Sequence, residues 1–499
     1  MNLEERDFEK VFHSIGKRGV CGKGLLKIFE DSGMKKSGPK TKIFLEDFEK
    51  LNKKELSKND FKELYFKHKS LLGSLLKNQL VIPDFKSFSN KVQGLFDEVK
   101  ESSKSFGLSM CSIDGQRFST GDAKSSFTLQ SLSKLLSYCQ ALEDLGVKRV
   151  HEHVGREPSG VKGEAITLNY KKRPHNPFIN GGGIMTSSLL FRGEAASDRF
   201  DKVIKLWEKS CGGENVNFNN TAYLQEIKKA DQNRALAYFM QEKRAFPNNT
   251  DLEKTLELYF QNCSLEMNCE SLSVVSGTLA NGGICPLSGE RIFSPETVKN
   301  CLSLMSSCGM NDFSGEFAFR VGLPAKSGSS GGLMVVVPNV LGICVWSPSL
   351  DESGNSVQGI ALCEKLVDLF NFHLFDDLVI RSKDFLTSSK IDPRLKKDEE
   401  VENKTYTLLS AASKGSLKQI GRLKALNVDF NQGDYDGRTA LHVAIAEGHL
   451  NVVRYLLSHG ADFSKKDRWG NTAYDEALRL KKKNILELFD NADFNGEPL

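Results

Sequence analysis

Apolar side chains recur at intervals of three and four residues through the first 85 positions, between Lys-rich polar stretches. Phe8, Val11, Phe12 and Ile15 form one such stripe. This spacing places apolar side chains on one face of a helix. A calcium-binding loop would need Asp or Asn at alternate positions with a central Gly, and the segment contains no such loop. We therefore predict a helical N-terminal domain over residues 1–85, with a structural or docking role.

The pattern changes in residues 86–385 to short apolar runs separated by amphipathic stretches. One strand-like run lies at 107–113 and others lie within 331–346. The stretch 331–346 is interrupted by Pro338 and is shorter than the roughly 20 residues that a membrane helix needs, so it predicts two core strands around a Pro-Asn turn. Because strand-like runs stand at both ends with helices between them, we predict an α+β domain whose sheet is completed by both ends.

Two helices of this middle domain can be placed along the chain. One begins with Pro295 after Ser294 and stops before Gly309, as Pro at a helix start and Gly past its end favour. The other is predicted over 127–146. Its apolar residues recur at helical spacing and face the core.

Ser131 and Lys134 stand three residues apart in the predicted helix 127–146. Their hydroxyl and amine therefore lie one turn apart on the same side. This is the geometry of a Ser nucleophile with a Lys general base, provided that burial favours the neutral amine. Taken alone the pattern is unspecific, because S-x-x-K also begins at Ser14 and at Ser74.

A second short element accompanies the first. Lys326-Ser327-Gly328 resembles the K-T-G element that accompanies S-x-x-K in the penicillin-recognising Ser hydrolases. It directly precedes the apolar run of 331–346, so an edge strand there would place backbone N–H groups beside Ser131 as an oxyanion hole. The structural alternative for this stretch is a flexible Gly/Ser turn.

The C-terminal part contains an internal repeat of 33 residues. Asp434, Gly437, Thr439, Leu441 and Ala444 recur as Asp467, Gly470, Thr472, Tyr474 and Ala477. The period and the first copy resemble the ankyrin repeat and its T-P-L-H-x-A signature, with Ala in place of Pro. A weaker copy begins near Leu408. We predict about three repeats over 405–492, preceded by a polar linker over 386–404.

Charge and cysteine content exclude several classes of protein. The 68 Lys and Arg against 64 Asp and Glu leave a net charge of +4, too balanced for a nucleic-acid binder that works by counterion release. The 11 Cys form no C-x-x-C pair, so neither a disulfide framework nor a zinc site is predicted. The acidic N-terminus shows no apolar signal region and no Arg- and Ser-rich presequence, so we expect nothing in the sequence itself to direct the chain out of the cytosol.

Longer matching segments identify a family. Residues 107–371 closely resemble the glutaminases of the Ser-dependent, β-lactamase-like class, and the helical front and ankyrin repeats match the animal kidney and liver type. The resemblance implies a β-lactamase- or transpeptidase-like domain over 86–385. The matching segments are Asp114–Asp122, Val154–Gly160, Pro174–Asn180, Leu279–Gly283 and Gly322–Gly328.

The resemblance implies the following chemistry. Ser131 attacks the side-chain amide carbon of glutamine while Lys134 takes and returns the proton, and water then hydrolyses the glutamyl ester. The backbone N–H groups of Ser131 and Ser329 would hold the oxyanion. No metal or cofactor is implied.

The resemblance also assigns residues to the two charged ends of the substrate. Glu226 would pair with the ammonium group, while Asn180, Asn233 and Tyr259 would hydrogen-bond the carboxylate. The spacing of Glu226 and Asn233 is seven residues, which puts both on one face if the segment is one helix. Without the resemblance, a solvated charge would be the preferred interpretation of Glu226.

Gly181-Gly-Gly183 follows Asn180 and calls for a separate interpretation. The run is too short for a phosphate-binding loop and lacks a following Lys. Close backbone packing is therefore the expected reason for these glycines.

Two tyrosines of the family are missing. The family word G-M-Y-D-x-S-G reads Gly309-Met-Asn311-Asp-Phe-Ser-Gly315 here, and an amide cannot give up a proton as a phenol can. A second family tyrosine lies in a segment ahead of the first strand that is deleted here, because no Tyr occurs between Tyr65 and Tyr138.

Three functions follow as hypotheses. The first is a glutaminase that uses Ser131 and Lys134. The second is a catalytically impaired glutaminase-like regulatory or scaffold protein, since each lost acid–base group typically costs a factor of about 10² to 10⁴. The third is hydrolysis of a different amide or ester at the same Ser.

The expected partners follow from the same resemblance. They are L-glutamine, further copies of the chain in a homo-oligomer, expected to be a tetramer, and a protein bound to the ankyrin repeats. No nucleic acid and no membrane is expected. The animal relatives are largely mitochondrial, whereas no presequence is visible here, so the mitochondrial and cytoplasmic locations both stay open.

Overall fold

The computed structural model describes residues 8, 12, 20–35, 38–51, 55–76, 79–100, 105–160, 165–376, 390–395, 397–425 and 428–490. They form two compact units. The first ends near residue 377 and includes 390–394, and the second follows from residue 395. The helical N-terminal part, the mixed α and β middle part and the helix pairs at the C-terminal end that the sequence predicts are all present.

The N-terminal region is helical, as predicted. It has its own apolar core, in which Phe29, Phe44, Phe61 and Tyr65 are buried. Polar contacts such as the ion pair of Lys35 with Glu270, 2.7 Å apart, connect it to the middle of the chain within the first unit. A domain boundary at residue 85 therefore stays a prediction. The elements are β1 (Val20–Cys21), α1 (Gly22–Asp31), α2 (Pro39–Lys50), β2 (Glu55–Leu56), α3 (Lys58–Lys67), α4 (Lys69–Leu76) and α5 (Phe85–Lys100).

A five-stranded antiparallel sheet forms the centre of the first unit, in the order β4-β3-β10-β9-β8. The first two strands come from the start of the domain and the others from its end, as predicted. The expected pair around Pro338-Asn339 is present, with Asn339 at a φ of 61°. The strands are β3 (Gly107–Ser112), β4 (Arg117–Gly121), β8 (Ala325–Ser327), β9 (Gly332–Val337) and β10 (Leu341–Trp346).

Both faces of this sheet are covered, which explains the continuous apolar strands. Helix α12 (Cys269–Ala280) packs on one face so closely that a Cβ on Gly342 would lie 2.0 Å from the nitrogen of Gly277. Helices α5 and α15 (Val357–Leu369) contribute buried side chains to the core on the other face. Glycine at 342 is thus needed for the close approach of helix and sheet.

The remaining helices of the first unit form the part that contains the predicted Ser131 and Lys134. The helix predicted from Pro295 to Cys308 is confirmed. The elements are β5 (Phe127–Thr128), α6 (Ser133–Val150), α7 (Asn180–Leu189), α8 (Ala196–Ser210), β6 (Asn217–Phe218), α9 (Asn220–Lys228), α10 (Asp231–Glu242), α11 (Leu252–Cys263), β7 (Leu265–Met267), α13 (Pro295–Cys308) and α14 (Ser314–Arg320).

The helix predicted over 127–146 is wrong at its start. Phe127 and Thr128 form strand β5, which pairs with β7, and a short 3₁₀ turn over Gln130–Leu132 follows. The φ of Gln130 is 46°, which a right-handed helix cannot include. Tertiary pairing with β7 thus overrides the local periodicity, and the α-helix begins only at Ser133.

The second unit consists of three helix pairs, which confirms the predicted ankyrin repeats. The Thr of the repeat signature lies at the start of each later pair. Thr439 Oγ1 lies 2.9 Å from His442 Nδ1, and Thr472 Oγ1 donates to Asp475 Oδ2 at 2.7 Å. The helices are α16 (Lys397–Ser413), α17 (Leu417–Ala425), α18 (Ala440–Glu447), α19 (Leu450–Ser458), α20 (Ala473–Arg479) and α21 (Lys483–Asp490).

The predicted linker over 386–404 lies partly outside the described residues. Within the part that is described, α16 already begins at Lys397, so the second half of this stretch is helical rather than extended. Residues 390–394 belong to the first unit, where Ile391 exchanges backbone hydrogen bonds with Leu369 and Asn371. No helix in the described ranges is long and apolar enough to cross a membrane.

Candidate active site

Ser131 lies in the 3₁₀ turn that connects β5 to α6. The residue before it, Gln130, has a positive φ, an uncommon conformation for a residue other than Gly. Ser133 Oγ donates to the carbonyl of Gln130 at 2.7 Å and holds the turn. Ser131 is thereby presented at the N-terminal end of a helix, where the backbone N–H groups have no acceptor within the helix and attract negative charge.

Lys134 is 3% exposed and points at the predicted nucleophile. Its Nζ lies 3.0 Å from Ser131 Oγ and 2.8 Å from Asn180 Oδ1. The one-turn spacing expected from the sequence therefore produces direct contact between amine and hydroxyl. Once the amine is neutral, the same contact lets Ser131 donate its proton to Lys134.

Asn180 connects the Ser131 and Lys134 pair to two further predicted site residues. Its Oδ1 also accepts from the hydroxyl of Tyr259 at 3.2 Å, and its Nδ2 donates to Asn233 Oδ1 at 3.2 Å. The three side chains come from α7, α10 and α11. The structure thus brings together all the residues that the resemblance assigns to the substrate carboxylate.

The glycines after Asn180 make room for this arrangement. A Cβ on Gly182 would lie 1.9 Å from the carbonyl oxygen of Asn176. A Cβ on Gly183 would lie 3.0 Å from Lys134 side-chain carbons and 2.9 Å from the ring of Tyr259. The prediction of close packing is confirmed, and at Gly183 what packs closely is the predicted general base itself.

Glu226 is hydrogen-bonded to Gln130, the residue before Ser131. Gln130 Nε2 donates to Glu226 Oε1 at 3.1 Å. The single helix expected to carry Glu226 and Asn233 is wrong: α9 ends at Lys228, and α10 begins only at Asp231. Both side chains still line one cavity, because tertiary packing rather than helical periodicity brings them together.

The predicted edge strand is also present. Strand β8 is the end strand of the sheet, and Ser329 follows it at the cavity wall. Lys326 of the K-S-G element is fully buried, and its Nζ donates to the carbonyls of Ser327 at 2.6 Å and Gly309 at 3.3 Å. Burial, together with the charge of Lys134, lowers the pKa of Lys326. This lysine fixes the backbone at the end of β8.

One cavity of about 670 Å³ contains every predicted site residue. Sequence reasoning missed other residues that line it. Gln130 could have been found as the neighbour of Ser131, but 352–354 lie far away in sequence and carry no motif. The predicted residues are Ser131, Lys134, Asn180, Glu226, Asn233, Tyr259 and Ser329, and the missed ones include Gln130, Lys229, Gln232, Glu352, Ser353 and Gly354. Ser327 of the K-S-G element also lines the cavity.

Comparison with known proteins gives the family. The glutaminase family model matches residues 96–375, and a model of three ankyrin repeats matches 383–496. The mitochondrial liver isoform of glutaminase from Rattus norvegicus is 44% identical over 84% of this chain and 72% of its own length. Putative glutaminase 2 from Caenorhabditis elegans is 40% identical over 96% of this chain and 82% of its own.

A solved structure agrees. A crystal structure of Bacillus glutaminase covers 57% of this chain and 99% of its own, with a TM-score of 0.54 and 30% sequence identity. The chain belongs to the glutaminase family. The resemblance inferred from the motifs is thus confirmed, and these findings support an amidohydrolase over an inactive regulatory or scaffold protein.

Asn311 is the clearest departure from the glutaminase pattern. It is exposed at the mouth of the cavity, with a φ of 54°, and its Nδ2 donates to the carbonyl of Ser353 at 2.9 Å. Asn tolerates the left-handed region better than most residues. The amide therefore connects the turn at 311–313 with the loop at 352–354, but it supplies no group that can transfer a proton.

The described part of this glutaminase shows no grouping of three or more His, Cys, Asp or Glu side chains that could hold a metal ion. Ten of the eleven cysteines, from Cys111 to Cys363, are buried free thiols. Burial raises the pKa of the nearest one to the active site, Cys263, to about 11. The thiol is therefore protonated at neutral pH, which makes Cys263 a poor nucleophile.

Proposed function

We propose that this glutaminase hydrolyses the side-chain amide of L-glutamine to glutamate and ammonia, with Ser131 as nucleophile and Lys134 as general base. The observation that carries the proposal is the 3.0 Å contact of Lys134 Nζ with Ser131 Oγ inside a cavity. An exposed lysine would be protonated and unable to accept a proton, whereas burial favours the neutral amine. Lys134 is 3% exposed.

The reaction proceeds in two halves. Ser131 Oγ attacks the amide carbon while Lys134 Nζ takes its proton, and the negative charge on the amide oxygen meets the N–H groups of Ser131 and Ser329. Ammonia leaves and a glutamyl ester remains on Ser131. Water then attacks this ester, with Lys134 again holding the proton before it returns to Ser131.

The same cavity supplies contacts for the charged end of the substrate. Glu226 pairs with the ammonium group, and the side chains of Asn180, Asn233 and Tyr259 hydrogen-bond the carboxylate. Asn180 accepts from Lys134 and donates to Asn233, which supports a fixed orientation of this amide. A substrate without the ammonium or the carboxylate is expected to be hydrolysed poorly.

The test is ammonia release from glutamine by the purified full chain. Ser131→Ala is expected to lower kcat/KM on the order of 10⁴-fold or more, as loss of a covalent nucleophile does. Ser137→Ala is the matched control, because its hydroxyl lies on the helix that follows Ser131 and donates to the carbonyl of Ser133 outside the cavity. Equal rates for the wild-type chain and Ser131→Ala would reject the proposal.

Assembly and location are further parts of the proposal. We expect a homotetramer of the first unit and a protein partner on the ankyrin repeats. The similarity to mitochondrial liver glutaminase supports a mitochondrial location. Light scattering of the purified chain and fractionation of cells that express it with a C-terminal tag measure these properties. A monomer, or a purely cytosolic signal, would contradict the respective expectation.

A further inference from the structure

Ser327 ends the edge strand β8, and its backbone is held on both sides. The N–H donates to the carbonyl of Gly309 at 3.1 Å, and the carbonyl accepts from Lys326 Nζ at 2.6 Å. The side chain is 1% exposed, yet no described atom is a hydrogen-bond partner of its Oγ. Since buried hydroxyls are normally paired, a partner from outside the fold is expected.

The location of this hydroxyl points to the substrate as that partner. Ser327 lines the same cavity as Ser131 and Lys134, two residues before Ser329. The charge of Lys134 is close enough to lower the pKa of the neighbouring Lys326, so the end of β8 lies near the general base. A glutamine amide attacked by Ser131 would therefore have the Ser327 hydroxyl within its surroundings.

The reaction has a task for such a hydroxyl. Nitrogen must receive a proton before it can leave, because an amide anion is a very poor leaving group. Asn311 has no proton to transfer, and the hydroxyl of Tyr259 already donates to Asn180. Among the buried hydroxyls of the cavity, Ser327 is thus the one with no described hydrogen-bond partner.

We propose that Ser327 Oγ donates a proton to the leaving nitrogen of glutamine. The inference rests on the proposed function of the same cavity. Lys134, which holds the proton taken from Ser131, gives it to Ser327 Oγ as Ser327 passes its own proton to nitrogen. The carbon–nitrogen bond breaks, its electron pair stays on nitrogen, and ammonia leaves. Lys134 becomes neutral again and Ser327 keeps its hydroxyl, so the protons balance.

The decisive experiment compares two leaving groups. Glutamine needs a proton on its leaving nitrogen, whereas the γ-4-nitrophenyl ester of L-glutamate loses a phenolate that departs without one. Both form the same glutamyl ester on Ser131, and kcat/KM reports on its formation. Ser327→Ala is expected to lower kcat/KM for glutamine by about 10² to 10⁴-fold and to leave kcat/KM for the ester unchanged.

Two variants separate this role from a structural one. Ser330→Ala removes another buried hydroxyl without a described partner, three residues away and outside the cavity, and is expected to leave both substrates unaffected. Ser327→Thr keeps a hydroxyl and is expected to recover most of the glutamine rate. Circular dichroism of each variant establishes that it is folded.

The outcomes distinguish this inference from the proposed function. An equal loss on both substrates in Ser327→Ala would mean a structural role and would overturn the inference, as would no loss on glutamine. If the wild-type chain releases no more ammonia than Ser131→Ala, the proposed function itself fails. If the wild-type chain is active and Ser327→Ala equals it, only the role of Ser327 fails.

Discussion

The nucleophile wall of the cavity and its rim are held in different ways. The nucleophile wall consists of Ser131, Lys134, Asn180 and Tyr259, whose side chains are buried or half-buried and hydrogen-bonded to one another. The rim consists of 311–312, in a 3₁₀ turn, and 352–354, in a loop, and these residues are exposed or half-buried. The described link across the rim is the hydrogen bond of Asn311 to the carbonyl of Ser353.

This difference explains how the chain can depart from its family at Asn311 without disturbing the contacts of Ser131 and Lys134. In the nucleophile wall each polar group fixes another, so a single change disturbs several contacts. On the rim a side chain faces water on one side, and its replacement leaves the buried contacts intact. The loss of a family tyrosine at Asn311 therefore leaves the geometry of Ser131 and Lys134 unaffected.

The largest effect is expected for a change within the nucleophile wall. Lys134→Met keeps the length and burial of the side chain but removes the amine that accepts the proton of Ser131. We expect kcat to fall by about 10² to 10⁴-fold, measured as ammonia release. Lys148→Met, an exposed lysine on the same helix, is the control. Similar activity in both variants would show that Lys134 is not the base.

A smaller effect is expected when the amine of Lys134 is displaced rather than removed. The added methyl of Gly183→Ala would press on Lys134 and Tyr259 at about 3 Å, so we expect a loss of about 10²-fold in kcat/KM from misplacement of the base. Gly181→Ala is the matched control on the same helix, since its methyl would meet its nearest atoms at an ordinary 3.6 Å. Equal rates in the two variants would contradict the packing argument.

On the rim, Asn311→Tyr tests whether the missing phenol matters. If Ser327 supplies the proton, restoring the tyrosine changes kcat/KM for glutamine little. A tyrosine at a φ of 54° is also expected to cost roughly 1 kcal/mol of stability, seen as a slightly lower Tm. Asn311→Gly removes the strain and the phenol together. A large gain in activity for Asn311→Tyr alone would show that the wild-type cavity lacks an effective proton donor, which would contradict the role of Ser327.

The smallest effect is expected from a change outside the nucleophile wall and the rim. A chain that ends after Arg394 retains the first unit, including the backbone hydrogen bonds of Ile391 with Leu369 and Asn371. We expect kcat and KM for glutamine to be unchanged, because the described cavity is lined only by residues of the first unit. A chain that ends after Asp376 would lack these bonds and serves as the comparison. Loss of activity on removing the ankyrin repeats alone would show that they support the site.

Sequence reasoning succeeded where the contact is local or the motif is long. The contact of Ser131 with Lys134 follows from a spacing of three residues, and the strand pair at 332–346 follows from an apolar run with a central Pro. It failed where a long-range partner intervenes. Strand β5 pairs with β7 far along the chain, and this pairing replaced the first turns of the helix predicted from residue 127.

The amino-acid sequence by itself predicted the family, the ankyrin repeats and the contact of Ser131 with Lys134. The family follows from the resemblance of long segments, whereas the repeats and the contact depend on periodicity and spacing, which neighbouring residues set through backbone geometry. Only the tertiary structure decided that Gly183 makes room for Lys134 and that the hydroxyl of Ser327 is left unpaired in the same cavity. The reason is physical: burial and steric contact arise between segments that are distant in sequence and meet only when the sheet and helices pack together.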